Sequence, residues 1–273
     1  MFLGQLFKPV GKKYRKIIVK GISFDSRKLK KGYIFFAIEG KKKSGTKYIN
    51  DAISRGAIAI VSNKKIKNIN FEIPLILVKD VRKSLSKACS NFYKKKPKTI
   101  IAVTGTNGKS SVADFFYQIL NFNKVSVASI GTLGILSKKY NKKANLTSLD
   151  PLALHKSLKI LAEKKVNNVI LEASSHGLDQ KRLDYLHIKT GIFTNLSHDH
   201  LDYHHTMKTY LNAKLYLFRK LLKKNSNIIT DEDNKEFKII KNIASKKKIR
   251  RITIGSKLGD IKILNNKYKE DIQ

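Results

Sequence analysis

Four short segments of this chain gather residue types that bind phosphate, hold a metal or move a proton. In Val103-Thr-Gly-Thr-Asn-Gly-Lys-Ser-Ser111 two glycines form a turn ahead of Lys109 and Ser110. The backbone N–H groups of such a turn, and of a helix opening behind it, can cradle phosphate oxygens. Lys109 would then reach the terminal phosphates and the Ser110 hydroxyl would bind Mg²⁺. The strict phosphate-loop spacing asks for glycine at Val103, so the match is to the loop's chemistry and not to its full pattern. Leu171-Glu-Ala-Ser-Ser-His-Gly177 supplies Glu172, a hard oxygen ligand suited to Mg²⁺ beside a nucleotide. Ser174, Ser175, His176, Gln180 and Arg182 follow it as a polar group able to grip an anion. Thr194-Asn-Leu-Ser-His-Asp-His-Leu-Asp-Tyr-His204 packs histidines and aspartates closely enough for metal or acid–base work. With no cysteine nearby, Mg²⁺ fits that context better than zinc. The fourth signal is Lys214, alone in the middle of an apolar helical stripe that includes Met207, Tyr210, Leu211, Phe218 and Leu221. Burial lowers a lysine's pKa. The neutral amine could act as a base, or take up CO₂ as a carbamate that binds metal; a snorkelling lysine is the plain alternative.

These segments need strand ends to present them. Strand-like runs are expected at Lys16–Val19, Tyr33–Ile38, Ala57–Val61 and Leu75–Val78, with helices at Lys47–Arg55 and Val81–Tyr93. A basic, proline-containing stretch at 91–98 marks a candidate boundary. Beyond it come strands at Thr99–Val103, Val125–Ile130, Asn168–Leu171, Ile188–Thr194, Asn227–Thr230 and Arg251–Ile254. Helices are expected at Ser110–Leu120, Pro151–Lys164 and Met207–Leu222. The fold class is therefore α/β: a small α/β domain over residues 1–96, then a mostly parallel-sheet domain over 97–273. Ligands of such sheets bind at the carboxyl ends of the strands, where the chemistry-bearing segments fall.

Composition excludes several classes. The chain has 273 residues, is 41% hydrophobic, and has one cysteine, Cys89. It can bury a core, and it cannot form an internal disulfide. No apolar run reaches the roughly 18 residues of a membrane helix, and the N-terminus lacks a secretory signal pattern. A cytoplasmic protein without membrane insertion is expected. The net charge of +37 suggests a nucleic-acid binder. However, lysines outnumber the 8 arginines among 57 basic residues and are spread along the whole chain. A solvated lysine coat, with no specific nucleic-acid partner, explains that better.

Taken together, the motifs resemble the Mur ligases of peptidoglycan synthesis, in particular those adding the third amino acid to a UDP-N-acetylmuramoyl-dipeptide. Asp25-Ser-Arg27 with Gly32-Tyr-Ile-Phe-Phe-Ala37 and Gly40 is similar to that family's uridine-nucleotide domain. Thr104–Lys109, Glu172–Gly177 with Gln180 and Arg182, Asn195–His204 and Ala213-Lys-Leu215 resemble its ATP loop, substrate and metal segments, and carbamylated-lysine segment.

The resemblance implies an ATP-dependent amide ligase of cell-wall biogenesis, acting in cell shape and division. It would join an amino acid, expected to be diaminopimelate, to UDP-N-acetylmuramoyl-L-alanyl-D-glutamate through an acyl phosphate. By it, Gly105, Thr106, Asn107, Gly108, Lys109, Ser110 and Ser111 would hold ATP. Phe24, Ser26, Lys41, Lys42, Lys43, Thr147, Ser148, Ser174, Gln180 and Arg182 would hold the UDP-muramoyl-dipeptide. Ser110, Glu172, His200 and carbamylated Lys214 would organise Mg²⁺, with Lys109, His200 and Lys214 catalytic. A monomer is expected. Thr147-Ser-Leu149 stands where the family has Thr-Thr-Pro, His198 where it has Arg, and His205 where it has Gly. The family also has a third domain for the incoming amino acid. The chain ends at Gln273 within what resembles the central domain, so an incomplete central domain, no C-terminal domain and no complete turnover are expected. Rival readings are a folylpolyglutamate synthetase-like ligase, a basic nucleic-acid-binding protein and a nonfunctional remnant.

Overall fold

The computed structural model describes residues 1–264 except 9, 41–43, 67–71 and 144–145. The chain divides into two compact units, one made of 1–96, 150–159 and 180–185, the other of 97–149, 160–179 and 186–273.

The first unit opens with the short helix α1 (Leu3–Leu6) and β1 (Gly21–Ser23), followed by β2 (Tyr33–Phe36), α2 (Ile49–Ser54), β3 (Ala57–Ser62), β4 (Leu75–Leu77) and α3 (Val81–Phe92). Its four strands are all parallel, in the order β1-β2-β3-β4. Alternation along β2 feeds two cores: Ile34 and Phe36 pack with Val61 and Leu85, while Phe35 packs with Ile49 and Ile60. The strand expected at Lys16–Val19 is not there. Ile18 forms a single bridge with Phe2, and the strand lies at Gly21–Ser23. Gly21 looks like a strand boundary in the sequence. Here it makes room for the Tyr33 ring, which would sit 2.4 Å from a Cβ at that position.

The second unit carries β5 (Thr99–Thr104), α4 (Lys109–Phe122), β6 (Val127–Gly131), β7 (Gly134–Leu136), β8 (Asn168–Glu172), β9 (Thr190–Phe193), β10 (Asn227–Asp231), β11 (Arg250–Gly255) and β12 (Ile261–Lys262). Its strand order is β12-β11-β10-β9-β5-β8-β6-β7, parallel except for the β6–β7 hairpin. The helix α5 (Pro151–Glu163) begins in the segment assigned to the first unit and ends in the second, and α6 (Ser175–Asp179) lies in the second. After β9 come α7 (Leu201–His204), α8 (Met207–Tyr216) and, after β10, α9 (Phe237–Lys247), which the sequence reading missed. The helix expected to run to Leu222 changes at Leu217 into one π turn, closed by Leu222 N–H donating to the Leu217 carbonyl at 3.0 Å. Lys247 Nζ donates to the carbonyls of Phe218, Arg219 and Leu222, satisfying groups a helix end leaves open.

The topology fixes where ligands go. From β5 the chain crosses over to β6 and returns to β8 on one side of β5, then passes to β9 on the other side. The crevice at the carboxyl end of β5 is therefore a topological switch point.

One buried group in the first unit carries a pH dependence. His155 is wholly buried. Burial, reinforced by the Lys96 ammonium, pushes its pKa down from 6.5 to about 3. The unfolded chain thus binds this proton more tightly than the folded one, and stability is lost as pH falls from 6.5 toward 3. Urea midpoints at pH 7 and pH 4.5 should differ less in His155→Leu than in the parent. An equal difference would contradict this account.

Candidate active site

Four strand ends converge at the switch point. The loop after β5 holds Gly105–Ser110, the end of β8 holds Glu172, the turn after β6 holds Thr132, and the segment after β9 holds Thr194 and Asn195. Gly108 sits at φ +78°, the left-handed conformation that glycine takes without strain, and caps α4. The loop is pinned from the β9 side. Thr106 N–H donates to the Asn195 carbonyl and Asn107 N–H to Asn195 Oδ1, both at 2.9 Å. Thr194 Oγ1 donates to the Asn107 carbonyl at 2.7 Å. Thr194 approaches so closely that a Cβ at Gly105 would lie 1.8 Å from its Oγ1. Lys109 folds back over the loop, donating to the Thr106 carbonyl at 2.7 Å and the Gly105 carbonyl at 3.1 Å, and burial holds its pKa below the usual lysine range.

Glu172 is 3% exposed, and its carboxylate is fully engaged. Oε2 accepts from Ser110 Oγ at 2.9 Å and from Thr132 Oγ1 at 3.2 Å, while Oε1 accepts from Thr132 N–H at 2.9 Å. Gly131 packs under it, with a Cβ there falling 1.9 Å from Oε1. This gives one hard carboxylate beside the hydroxyl that opens the phosphate-loop helix. That donor set suits Mg²⁺, which binds through one or two carboxylates plus substrate phosphates and keeps several waters. Among the described residues no three His, Cys, Asp or Glu side chains form a metal cage.

Lys214 is 1% exposed, as its place in the apolar stripe implies. Its Nζ donates to the Gly105 carbonyl at 2.6 Å and lies 4.2 Å from the Tyr210 ring centroid. Burial first, and then the Lys109 charge, push its pKa down to about 7. The Tyr210 hydroxyl lies 3.2 Å from Thr106 Oγ1. His200 and His204 pack against the same Tyr210 ring, and His176 packs against both histidines. His200 Nε2 is 3.4 Å from Asp199 Oδ2.

The structure thus brings Ser110 together with Glu172, and Lys214 together with His200 around Tyr210. In the same unit, Ser148 Oγ is 2.9 Å from Ser174 Oγ and donates to the Glu172 carbonyl at 2.8 Å. Ser148 is buried, so its hydroxyl ties the chain to itself. Thr147 Oγ1 is 3.1 Å from Thr132 Oγ1. In the first unit, Phe24 and Ser26 line a hollow of about 460 Å³ with Asp25, Arg27, Phe35, Tyr48 and Asp51. The Arg27 guanidinium grips Asp25 with two hydrogen bonds and holds that carboxyl below its usual range. Gln180 also belongs to that unit, its Oε1 accepting from Arg182 at 2.8 Å and from Arg82 at 3.4 Å. Lys41, Lys42 and Lys43 lie outside the described residues. Thr132, Asn195, Tyr210 and Arg82 were not singled out as site residues from the sequence. The available signals were Gly131-Thr-Leu-Gly134 at a strand end, and Tyr210 one helical turn before Lys214.

The Mur ligase middle domain matches residues 103–272, and the Mur ligase family catalytic domain matches residues 18–93. A UDP-N-acetylmuramoyl-L-alanyl-D-glutamate--2,6-diaminopimelate ligase of Rickettsia conorii is 43% identical over 257 residues, 92% of this chain and 53% of the relative. The ligase of the same name from Mesorhizobium japonicum is 44% identical over 216 residues, 79% of this chain and 45% of the relative. The chain thus spans about half the length of the curated relatives it matches. A solved diaminopimelate ligase of that name superposes with a TM-score of 0.83 at 27% identity, covering 96% of this chain and 53% of the other. A MurF ligase from Thermotoga maritima in complex with ADP shares the fold, with a TM-score of 0.60 at 22% identity over 93% of this chain and 54% of its own.

The tight seat of Glu172 can be tested through its floor. Gly131→Ala forces a methyl group into the space that Oε1 occupies, and should cost about 1–3 kcal/mol of stability in urea unfolding. A variant as stable as the parent would contradict the packing described.

Proposed function

The chain belongs to the Mur ligase family, and from that premise we propose that it serves ATP-dependent amide-bond formation on a UDP-N-acetylmuramoyl-dipeptide, adding diaminopimelate as the third residue. The names of the 43–44% identical relatives support the choice of amino acid. The observation that carries the chemistry is the Ser110–Glu172 hydrogen bond at the mouth of a strand–loop–helix cradle.

In this reading ATP lies along Gly105–Ser111, with its phosphates on the N–H groups that open α4. Lys109 leaves the loop carbonyls and turns to the terminal phosphate. Its desolvated ammonium is strengthened there by the low local dielectric. Ser110 and Glu172 would hold Mg²⁺, which would offset the charge repulsion between ATP and the substrate's D-glutamyl carboxylate. Phosphoryl transfer to that carboxylate gives an acyl phosphate, and the incoming amino group then displaces phosphate. For the first step the protein supplies mainly position and charge neutralisation. Phe24 and Ser26 would contact the uridine nucleotide. Thr147, Ser174, Gln180 and Arg182 would contact the muramoyl-dipeptide, with Ser148 holding Ser174 and the Glu172 carbonyl. With its pKa brought down to about 7, Lys214 has a substantial neutral fraction at pH 7 that can take up CO₂. The resulting carbamate N–H can keep the bond to Gly105, and the anion would join His200 in holding a second metal. Membership of the family supports a cytoplasmic placement in this reading.

Lys109→Ala should weaken Mg·ATP binding by at least about tenfold in calorimetry, with circular dichroism unchanged, since a charge-assisted phosphate contact is worth about 1.5–3 kcal/mol. Unaltered affinity would refute the loop assignment. For Lys214, ¹³C-bicarbonate should give a carbamate resonance in the parent and none in Lys214→Arg, which keeps the charge but cannot be carbamylated. The same signal in both proteins would remove Lys214 from the metal site.

A further inference from the structure

We propose that Thr132 is a positioning residue for this chemistry. It locks the Glu172 carboxylate beside Ser110 and links it through its hydroxyl to Thr147. The inference rests on the Mg·ATP reading above. Thr132 occupies the turn between β6 and β7, next to Gly131. It contacts both carboxylate oxygens: its N–H donates to Oε1 at 2.9 Å, and its Oγ1 lies 3.2 Å from Oε2. The direction of the hydroxyl bonds follows from the acceptor, because an ionised carboxylate can only accept. Thr132 O–H must therefore donate to Glu172. In its 3.1 Å contact with Thr147 Oγ1, the Thr132 oxygen accepts and Thr147 donates. The result is a polarised relay, Thr147 to Thr132 to Glu172, that meets Ser110 at Oε2.

Two features make this seat selective. Gly131 has no side chain to keep Oε1 away, so the carboxylate comes close enough to the turn to take the Thr132 N–H. Among the described residues the Oε2 side is held by two hydroxyls, Ser110 on one hand and Thr132 on the other. Once Ser110 gives its oxygen to a metal, Thr132 O–H is the donor that remains on Oε2 among the described residues, beside the Thr132 N–H on Oε1. A group that orients a metal ligand in this way tunes metal affinity, while leaving binding of the metal-free nucleotide to the loop amides.

The test is ATP affinity by calorimetry, measured in MgCl₂ and again in EDTA, on the whole chain. Thr132→Val keeps the shape and the N–H but removes the hydroxyl. It should lower affinity in Mg²⁺ by on the order of tenfold and leave affinity in EDTA at the parental value. Thr132→Ser should restore most of the loss. Thr132→Ala removes the same hydroxyl and makes the same prediction if Val does not fold. Parental Mg²⁺ enhancement in the Val and Ala variants would overturn the proposal and leave the Mg·ATP reading standing. An equal loss in Mg²⁺ and EDTA would also overturn it, by reducing Thr132 to a structural residue of the turn. A parent that shows no Mg²⁺ enhancement would overturn both the proposal and the reading beneath it.

Discussion

A lysine with 1% exposure must find a replacement for water, and in this chain Lys214 finds the Gly105 carbonyl and the face of Tyr210. That contact ties α8 to the loop after β5, across 109 residues of sequence. One turn earlier on the same helix, Tyr210 reaches Thr106. From the β9 side, Thr194 and Asn195 hold Thr106 and Asn107 by their backbone. The loop therefore has its shape before any nucleotide arrives, and little ordering entropy remains to oppose binding. Lys109 and Lys214 both donate to the Gly105 carbonyl, two amino groups sharing one acceptor. Their mutual repulsion adds to burial in depressing the Lys214 pKa. An anion bound on this loop would relieve the conflict, and so would a carbamate.

The sheet explains why these groups meet. Register pairs Val103 with Glu172 on one side and Thr104 with Phe193 on the other. The loop after β5, the carboxylate ending β8 and the asparagine after β9 must then come out at one level. The polar requirements of Glu172 are met on the far side by the β6–β7 turn, the one antiparallel pairing in the eight-stranded sheet. The large positive charge plays no visible part in this arrangement. It lies mostly on exposed lysines, whereas the two lysines that matter to the site are withdrawn from water.

Much of this was legible in the sequence where side-chain type and spacing are coupled to a single chemistry. The strand–turn–helix at 99–122 and the apolar stripe around Lys214 each imply a geometry that the fold supplies. Legibility failed where the deciding contact is remote. Gly21 is a strand residue paired with Tyr33, whose ring leaves no space for a Cβ there, and nothing local announces that. The π turn after Tyr216 has its open carbonyls met by Lys247, from a helix 25 to 29 residues away that the sequence reading did not assign. Thr132 looks like an ordinary turn residue until Glu172, 40 positions later, is laid against it. The assignment of 150–159 and 180–185 to the first unit is equally invisible to a reading that cuts the chain once near residue 97.

The central claim is that the loop from Gly105 to Ser111 is a preformed seat for a nucleotide's phosphates. Hydrogen exchange of its backbone amides, with and without Mg·ATP, tests that most directly. Asn107 N–H is already bonded to Asn195 and Thr106 N–H to its carbonyl, so these two should exchange slowly in both states. The amides of Gly108 to Ser111, which open α4, should become protected only when nucleotide is added. Unchanged exchange at 108–111 under saturating Mg·ATP, or protection appearing elsewhere in the chain, would contradict the account.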